Sequence, residues 1–393
     1  MKMLLILSVF GVSVLSLQAG LSGLGEHVDL RWSYDATLGE WSLRAVTAEQ
    51  VFDPSEVFLP LSDKPYSAKT PVHSGARAMQ PSAVAYSFTG IAPGEPLWLA
   101  VQGTPGVGEA WPGFENAQEA GIFGEYFEAD SRLQQPQTLA RPWIRVTLKS
   151  FVYQGTGAQP TFSLWTVVGG SPRAWMSSAD GIGAEDFFLY AAGTHIHMNW
   201  GFGALGIYRL QLAASAYAGP GQTNPTVESE VFTVTFAVGP VAEWQASHFA
   251  GAELDDPMVS GLAADPDGDG LANLQEYAFG LDPRSGQSDG LAAGLGLPRF
   301  SRVEEAGVLR EVLEYPRRKS MELTNPVLYA PEFSVNLAEG DWSLPGEVVE
   351  VASEFAGGHA DLADSWEKVE LRRAVPVKGA AQGFWRVRVV QAP

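Results

Sequence analysis

From about residue 25 to 238, short stretches alternate between apolar and polar positions and are broken by turn residues. Arg145-Val146-Thr147-Leu148-Lys149 alternates with period two, and 161–168, 206–213 and 230–237 read as strands too. Successive strand side chains point to opposite faces, so this period marks strands with one buried face. Pro93-Gly94, Gly169-Gly170 and Gly219-Pro220 separate them. Many short strands with this punctuation predict a β-sandwich. The texture changes at Gly239-Pro240. Residues 242–250 and 273–279 predict helices, with a run rich in Asp and Gly between them. A soft stretch, 285–296, reads as a linker. Strands return after Pro298, at 309–315, 347–351, 368–373 and 384–390. The expected fold class is all-β: two β-sandwich domains, 20–238 and 298–393, joined by a short helical linker, 239–297.

The first residues read as an address instead. Met1-Lys2-Met3 is a short basic start, Leu4 to Leu17 is largely apolar, and Leu17-Gln18-Ala19 ends on a small residue. This is the layout of a secretory signal peptide, expected to be cleaved near Ala19. The apolar run is too short for a comfortable membrane span, and none of 18 residues follows. The mature chain is therefore expected to be secreted to the periplasm, the extracellular space or the cell surface.

Composition narrows the partners. The net charge is −20 over 393 residues, with no cysteine. An acidic surface repels phosphate backbones, which disfavours nucleic acid and anionic membranes and favours divalent cations. Without cysteine there are no disulfides, thiolate metal sites or cysteine nucleophiles.

The strongest chemical signal lies in the Asp- and Gly-rich run. Asp265, Asp267, Asp269 and Glu276 occupy positions 1, 3, 5 and 12 of a loop with Gly270 at position 6. That is the EF-hand calcium spacing. Alternate residues of the tight loop turn inward, Leu271 offers its backbone carbonyl, and Glu276 on the exiting helix can bind through both oxygens. The predicted linker is therefore EF-hand-like, with calcium as its ion. The segment resembles the calcium linker of secreted bacterial proteins, and Tyr277, Gly280, Asp282 and Pro283 complete that pattern.

Histidine offers a second site. His195 and His197 stand two apart, so on a strand they share a face and can share a metal. A third ligand must come from elsewhere, and Glu26-His27-Val28-Asp29 is the candidate segment. His27, His195 and His197 form the expected set; His73, His248 and His359 read as ordinary histidines.

Residues 25–215 resemble the choice-of-anchor M domain, also called the surface-anchored or ABC-transporter-associated repeat domain. Gly25-Glu26-His27-Val28-Asp29-Leu30 looks like its opening Gly-His-Val-Asp motif with one extra residue. Phe52-Asp53-Pro54-Ser55-Glu56-Val57 and Pro96-Leu97-Trp98-Leu99 look like later steps. Gly193-Thr194-His195-Ile196-His197-Met198-Asn199-Trp200-Gly201-Phe202, followed by Gly206-Ile207-Tyr208, matches the most specific signature. The family's His-Val-His-Asp-Glu stretch is missing, since 43–49 here carries no histidine. The resemblance implies an exported, β-rich protein whose histidines serve a transition metal such as zinc, or haem. It also implies association with a metal ABC-transport system or a cell-envelope component.

No nucleophile-elbow, metalloprotease or phosphate-loop motif is present. Glu115, Glu119, Glu125 and Glu128 could pair for glycoside hydrolysis, but they read as a solvated acidic loop. Trp98, Trp111, Phe114, Phe123, Tyr126 and Phe127 could stack on sugars, although all-β domains usually bury such residues. The expectation is a non-enzymatic, calcium-stabilised surface or periplasmic protein. A carbohydrate-binding or adhesion module is the alternative, and a hydrolase the third reading.

Overall fold

A computed structural model describes residues 20–67, 75–117, 122–123, 130, 132, 142–157, 160–217, 226–319, 327–338, 341–344, 348–353, 365–375 and 383–391. The segment read as a signal peptide lies outside them. The described chain is mostly β, with short helices between residues 240 and 279.

The predicted strands form on schedule. Trp143–Gly155, Phe162–Val168, Gly206–Tyr217 and Phe232–Val238 cover the four expected segments. Gly206–Tyr217 lies between Trp143–Gly155 and Phe232–Val238 in a seven-stranded sheet. A five-stranded sheet centres on Asn199–Phe202, which pairs with Phe162–Val168 and Pro96–Ala100. Another five-stranded sheet runs in the order His195–His197, Trp111–Glu115, His27–Asp35, Glu40–Val46, Val51–Phe52. The strands of this region thus divide among three sheets. All three feed one core, which includes Trp32, Phe114, Leu164, Trp200, Leu210 and Phe236. Burying a large apolar side chain contributes about 1.5–3 kcal/mol, so this core dominates the stability of the region.

His27–Asp35 shows how the sequence sets the site. Val28, Leu30, Trp32 and Tyr34 are buried, while His27, Asp29, Arg31 and Ser33 alternate with them on the outer face. The Phe52–Val57 step is structural. Asp53 caps a short turn by accepting from Ser55 N–H at 3.1 Å, and Glu56 accepts from Asp53 N–H at 3.3 Å.

Three helices follow: Pro240–His248, Gly251–Asp255 and Asn273–Phe279. The first starts two residues earlier than expected because proline suits the first helical position. The third matches its expected bounds and ends at Gly280, whose φ of +67° lets its N–H reach Glu276 O. This short helix serves two cores. Tyr277 packs with Trp244 and Phe249, and Phe279 packs with Leu313, Tyr315 and Val387. The stretch read as a linker folds back on it. Leu291 N–H bonds Gly280 O at 2.8 Å, and Gly296 N–H bonds Phe279 O at 2.9 Å.

Beyond residue 298, four strands run in the order Arg299–Glu305, Val308–Arg318, Trp366–Val375, Val348–Ser353. Val327–Ser334 pairs separately with Phe384–Gln391.

Candidate metal centre

The histidine site is built by strand register. His27–Asp35 runs parallel to Trp111–Glu115, which sets His27 beside Trp111, Asp29 beside Gly113 and Arg31 beside Glu115. His195–His197 runs antiparallel on the other side, which sets His197 beside Gly113 and His195 beside Glu115. Ile196 turns inward against the core, so both histidines share the outer face. His27, Asp29, His195 and His197 therefore meet over one glycine.

Gly113 is the floor of this meeting. A Cβ there would lie 3.0 Å from His197 Cε1 and 3.0 Å from Ile196 O. With no side chain in the way, the His197 ring leans across the middle strand. Its Nδ1 lies 3.2 Å from Pro112 O. A carbonyl only accepts, so Nδ1 carries the proton and Nε2 presents a lone pair. The Trp111 indole stacks on the same ring, with centroids 4.2 Å apart and 20° between planes.

Four donor atoms, one from each residue, lie within 4.8 Å of one another. His27 Nε2 is 3.1 Å from His197 Nε2 and 3.6 Å from Asp29 Oδ1, and His195 Nε2 is 2.8 Å from Asp29 Oδ1. That last contact lacks hydrogen-bond geometry, and Asp29 Oδ1 is buried with no hydrogen-bond partner. Ligands bound to zinc at about 2.0–2.2 Å stand roughly 3.3 Å apart in a tetrahedron, which is the scale of this cluster. Burial raises the Asp29 carboxyl above its ordinary range, against the pull of His195 and His27. Burial, with His195 and His27 adding to it, lowers His197 to about 4. Both shifts come first from burial, which disfavours the charged form of each group. A fixed tautomer, an orphaned buried oxygen and a glycine cradle fit a bare ion.

Of the predicted loop carboxylates, the three aspartates come together, while Glu276 is not part of that group. Carboxylate oxygens of Asp265, Asp267 and Asp269 lie within 4.8 Å of one another. Gly268 N–H and Gly270 N–H bond the Asp265 carboxylate at 2.8 and 3.0 Å, and Leu271 N–H bonds Asp269 at 2.8 Å. Gly270 has φ +95°, the turn that glycine permits. Glu276 is fully buried, and neither of its carboxylate oxygens has a hydrogen-bond partner. Burial and the charges of Asp267, Asp269, Asp265 and Asp282 push it up to about 8. A buried carboxyl with two oxygens lacking hydrogen-bond partners, repelled by three nearby aspartates, fits a divalent cation. Asn273, at loop position 9, ties the loop to the preceding turn: its Nδ2 donates to Val259 O and Gly261 O, each at 2.8 Å, while its Oδ1 is buried with no hydrogen-bond partner.

The remaining candidates fall outside these centres. His248 Nδ1 bonds Trp244 O at 2.8 Å within a helix. His73 and His359 lie outside the described residues, as do Glu119, Glu125, Glu128, Tyr126 and Phe127. Glu115 accepts from Arg31 Nε at 2.6 Å. Trp98, Phe114 and Phe123 are buried, and Phe123 stacks on Trp41. Within the candidate segment, Asp29 joins the cluster beside His27, and its place two residues on was the signal for it. Gly113 and the Pro112 carbonyl carry no local signal, because their role comes from register with distant strands.

No protein-family model matches the chain, and no curated protein matches it.

Proposed function

We propose that this chain is an exported, non-enzymatic bacterial protein that binds one transition-metal ion, such as zinc, through His27, Asp29, His195 and His197. One calcium ion, held by Asp265, Asp267, Asp269, the Leu271 carbonyl and Glu276, stabilises it. The observation that carries the first site is the convergence of four donor atoms, among them a buried Asp29 Oδ1 with no hydrogen-bond partner. The two Nε2 atoms of His27 and His197 are 3.1 Å apart, which leaves no slot for a porphyrin between them and favours a bare ion over haem. Three imidazoles and a carboxylate suit zinc and its first-row neighbours.

Calcium has a structural part in this reading. The helix that ends its loop places Tyr277 and Phe279 in two different cores, within an arrangement of two sandwiches about a calcium linker. Export rests on the layout of residues 1–19. The choice-of-anchor M resemblance supports a surface or periplasmic location beside a metal ABC-transport system or an envelope component. The carbohydrate reading is weaker, because Trp98, Phe114 and Phe123 are buried and Trp111 covers His197.

Zinc titrated into chelator-stripped protein, with calcium saturating, tests this reading. One equivalent should bind to the wild type and none to a His27→Ala/His197→Ala variant of unchanged circular dichroism. Equal binding to both proteins would overturn it.

A further inference from the structure

The four donors fall into two kinds. Asp29 and His197 form a floor. The Asp29 side chain is 14% exposed, and His197 is fixed by the Pro112 carbonyl and covered by Trp111. His27 and His195 form a rim, with side chains 38% and 43% exposed. Among the described residues, neither rim ring has a hydrogen-bond partner for its Nδ1; His27 rests edge-on against Trp111, with centroids 5.2 Å apart, and His195 meets only rings of the cluster. Hydrogen bonds from outer residues fix the rings of metal-ligating histidines. Here that support reaches His197 alone. The rim also adjoins open space: a cleft passes Thr194, His195 and Ile196 and is lined as well by Gln102, Trp143 and Arg173. Among the described residues, His195–His197 is the outermost strand of its sheet.

The geometry points to a metal centre open on its rim, where a bound ion accepts an outside nitrogen donor of the imidazole class. This rests on the reading of the cluster as a transition-metal site. The exchange is a ligand substitution without redox change. The incoming nitrogen gives its lone pair to the ion, either as a fifth ligand or as the bond to His195 Nε2 breaks. A freed His195 returns to solvent, while Asp29 and His197 keep the ion in place. A centre built this way holds its metal while a histidine of a partner, or a small free imidazole, binds to it.

Cobalt(II) tests it, because its visible spectrum reports coordination number. The calcium-saturated full chain is loaded with one equivalent of cobalt and titrated with imidazole. A saturable shift of the visible bands is expected. His195→Ala should still bind cobalt, with a larger shift at a lower imidazole concentration, and His195→Gln guards against a folding artefact. His197→Ala should lose the cobalt. A single-histidine peptide in place of imidazole separates the two sources. A shift with the peptide alone identifies a protein donor, a shift with imidazole alone identifies a small free donor, a shift with both admits either source, and each upholds the inference. Cobalt bound at one equivalent with a spectrum indifferent to both would overturn the open rim and leave the metal site standing. A wild type that binds no cobalt would overturn both.

Discussion

A Cβ added to Gly113 would lie 3.0 Å from Cε1 of His197. The ring occupies space that any other residue would claim. Gly113→Ala should therefore displace the imidazole by a few tenths of an ångström. Zinc affinity should fall about tenfold, the scale seen when support for a metal ligand is disturbed. The melting temperature should fall only modestly: Gly113 does not need a left-handed backbone, but the added Cβ also meets Ile196 O at 3.0 Å. Zinc titration beside thermal melting checks both halves.

Glu276 sets the behaviour of the acidic loop at alkaline pH. Its folded pKa of about 8 lies above the ordinary value of 4.5. A raised folded pKa gives a contribution that is full below 4.5 and is lost as pH rises through 8. The calcium-free protein should lose stability over this window while the calcium-bound protein does not. The gap between melting temperatures in calcium and in chelator should widen steadily from pH 5 to 9. A gap that stays constant would place Glu276 outside the ion's reach.

Glu276→Gln separates charge from packing. The amide keeps the volume but cannot ionise, so it removes the repulsion from Asp265, Asp267 and Asp269. The calcium-free variant should be at least as stable as calcium-free wild type above pH 8. Its stabilisation by calcium should largely vanish, since a bidentate carboxylate is lost. Calorimetric calcium titration and melting curves at pH 8.5 read these two effects.

His197 gives the opposite pH sign. Burial lowers its pKa from 6.5 to about 4. A lowered base contributes stability that is full above 6.5 and is lost as pH falls toward 4. In chelator, wild type should lose stability relative to His197→Gln between pH 6.5 and 4. Urea denaturation of the two proteins across that range measures the difference.

Local pattern made much of this molecule legible. The Asn273–Phe279 helix lies where the loop spacing and its apolar residues put it, and eight predicted strands fall on observed ones. The Asp265–Glu276 loop is legible because its candidate carboxylates lie close together in the sequence. His27, His195 and His197 were legible as residues, but their meeting depends on Trp111–Glu115 lying between their strands. No local period encodes that register. Gly113 was invisible for the same reason, since its value is the side chain it lacks. The division of the first region into three sheets likewise depends on which strands pair across long stretches of sequence. The stretch 285–296 reads as a linker by composition but folds back through backbone bonds to Phe279 and Gly280.

Elemental analysis of protein purified without chelator, beside a His195→Ala/His197→Ala double variant, probes both ions at once. Wild type should carry one equivalent of calcium and one of a transition metal. The double variant should keep the calcium and lose the transition metal. A transition metal retained in the double variant, or calcium alone in both proteins after zinc has been supplied, would contradict the metal centre.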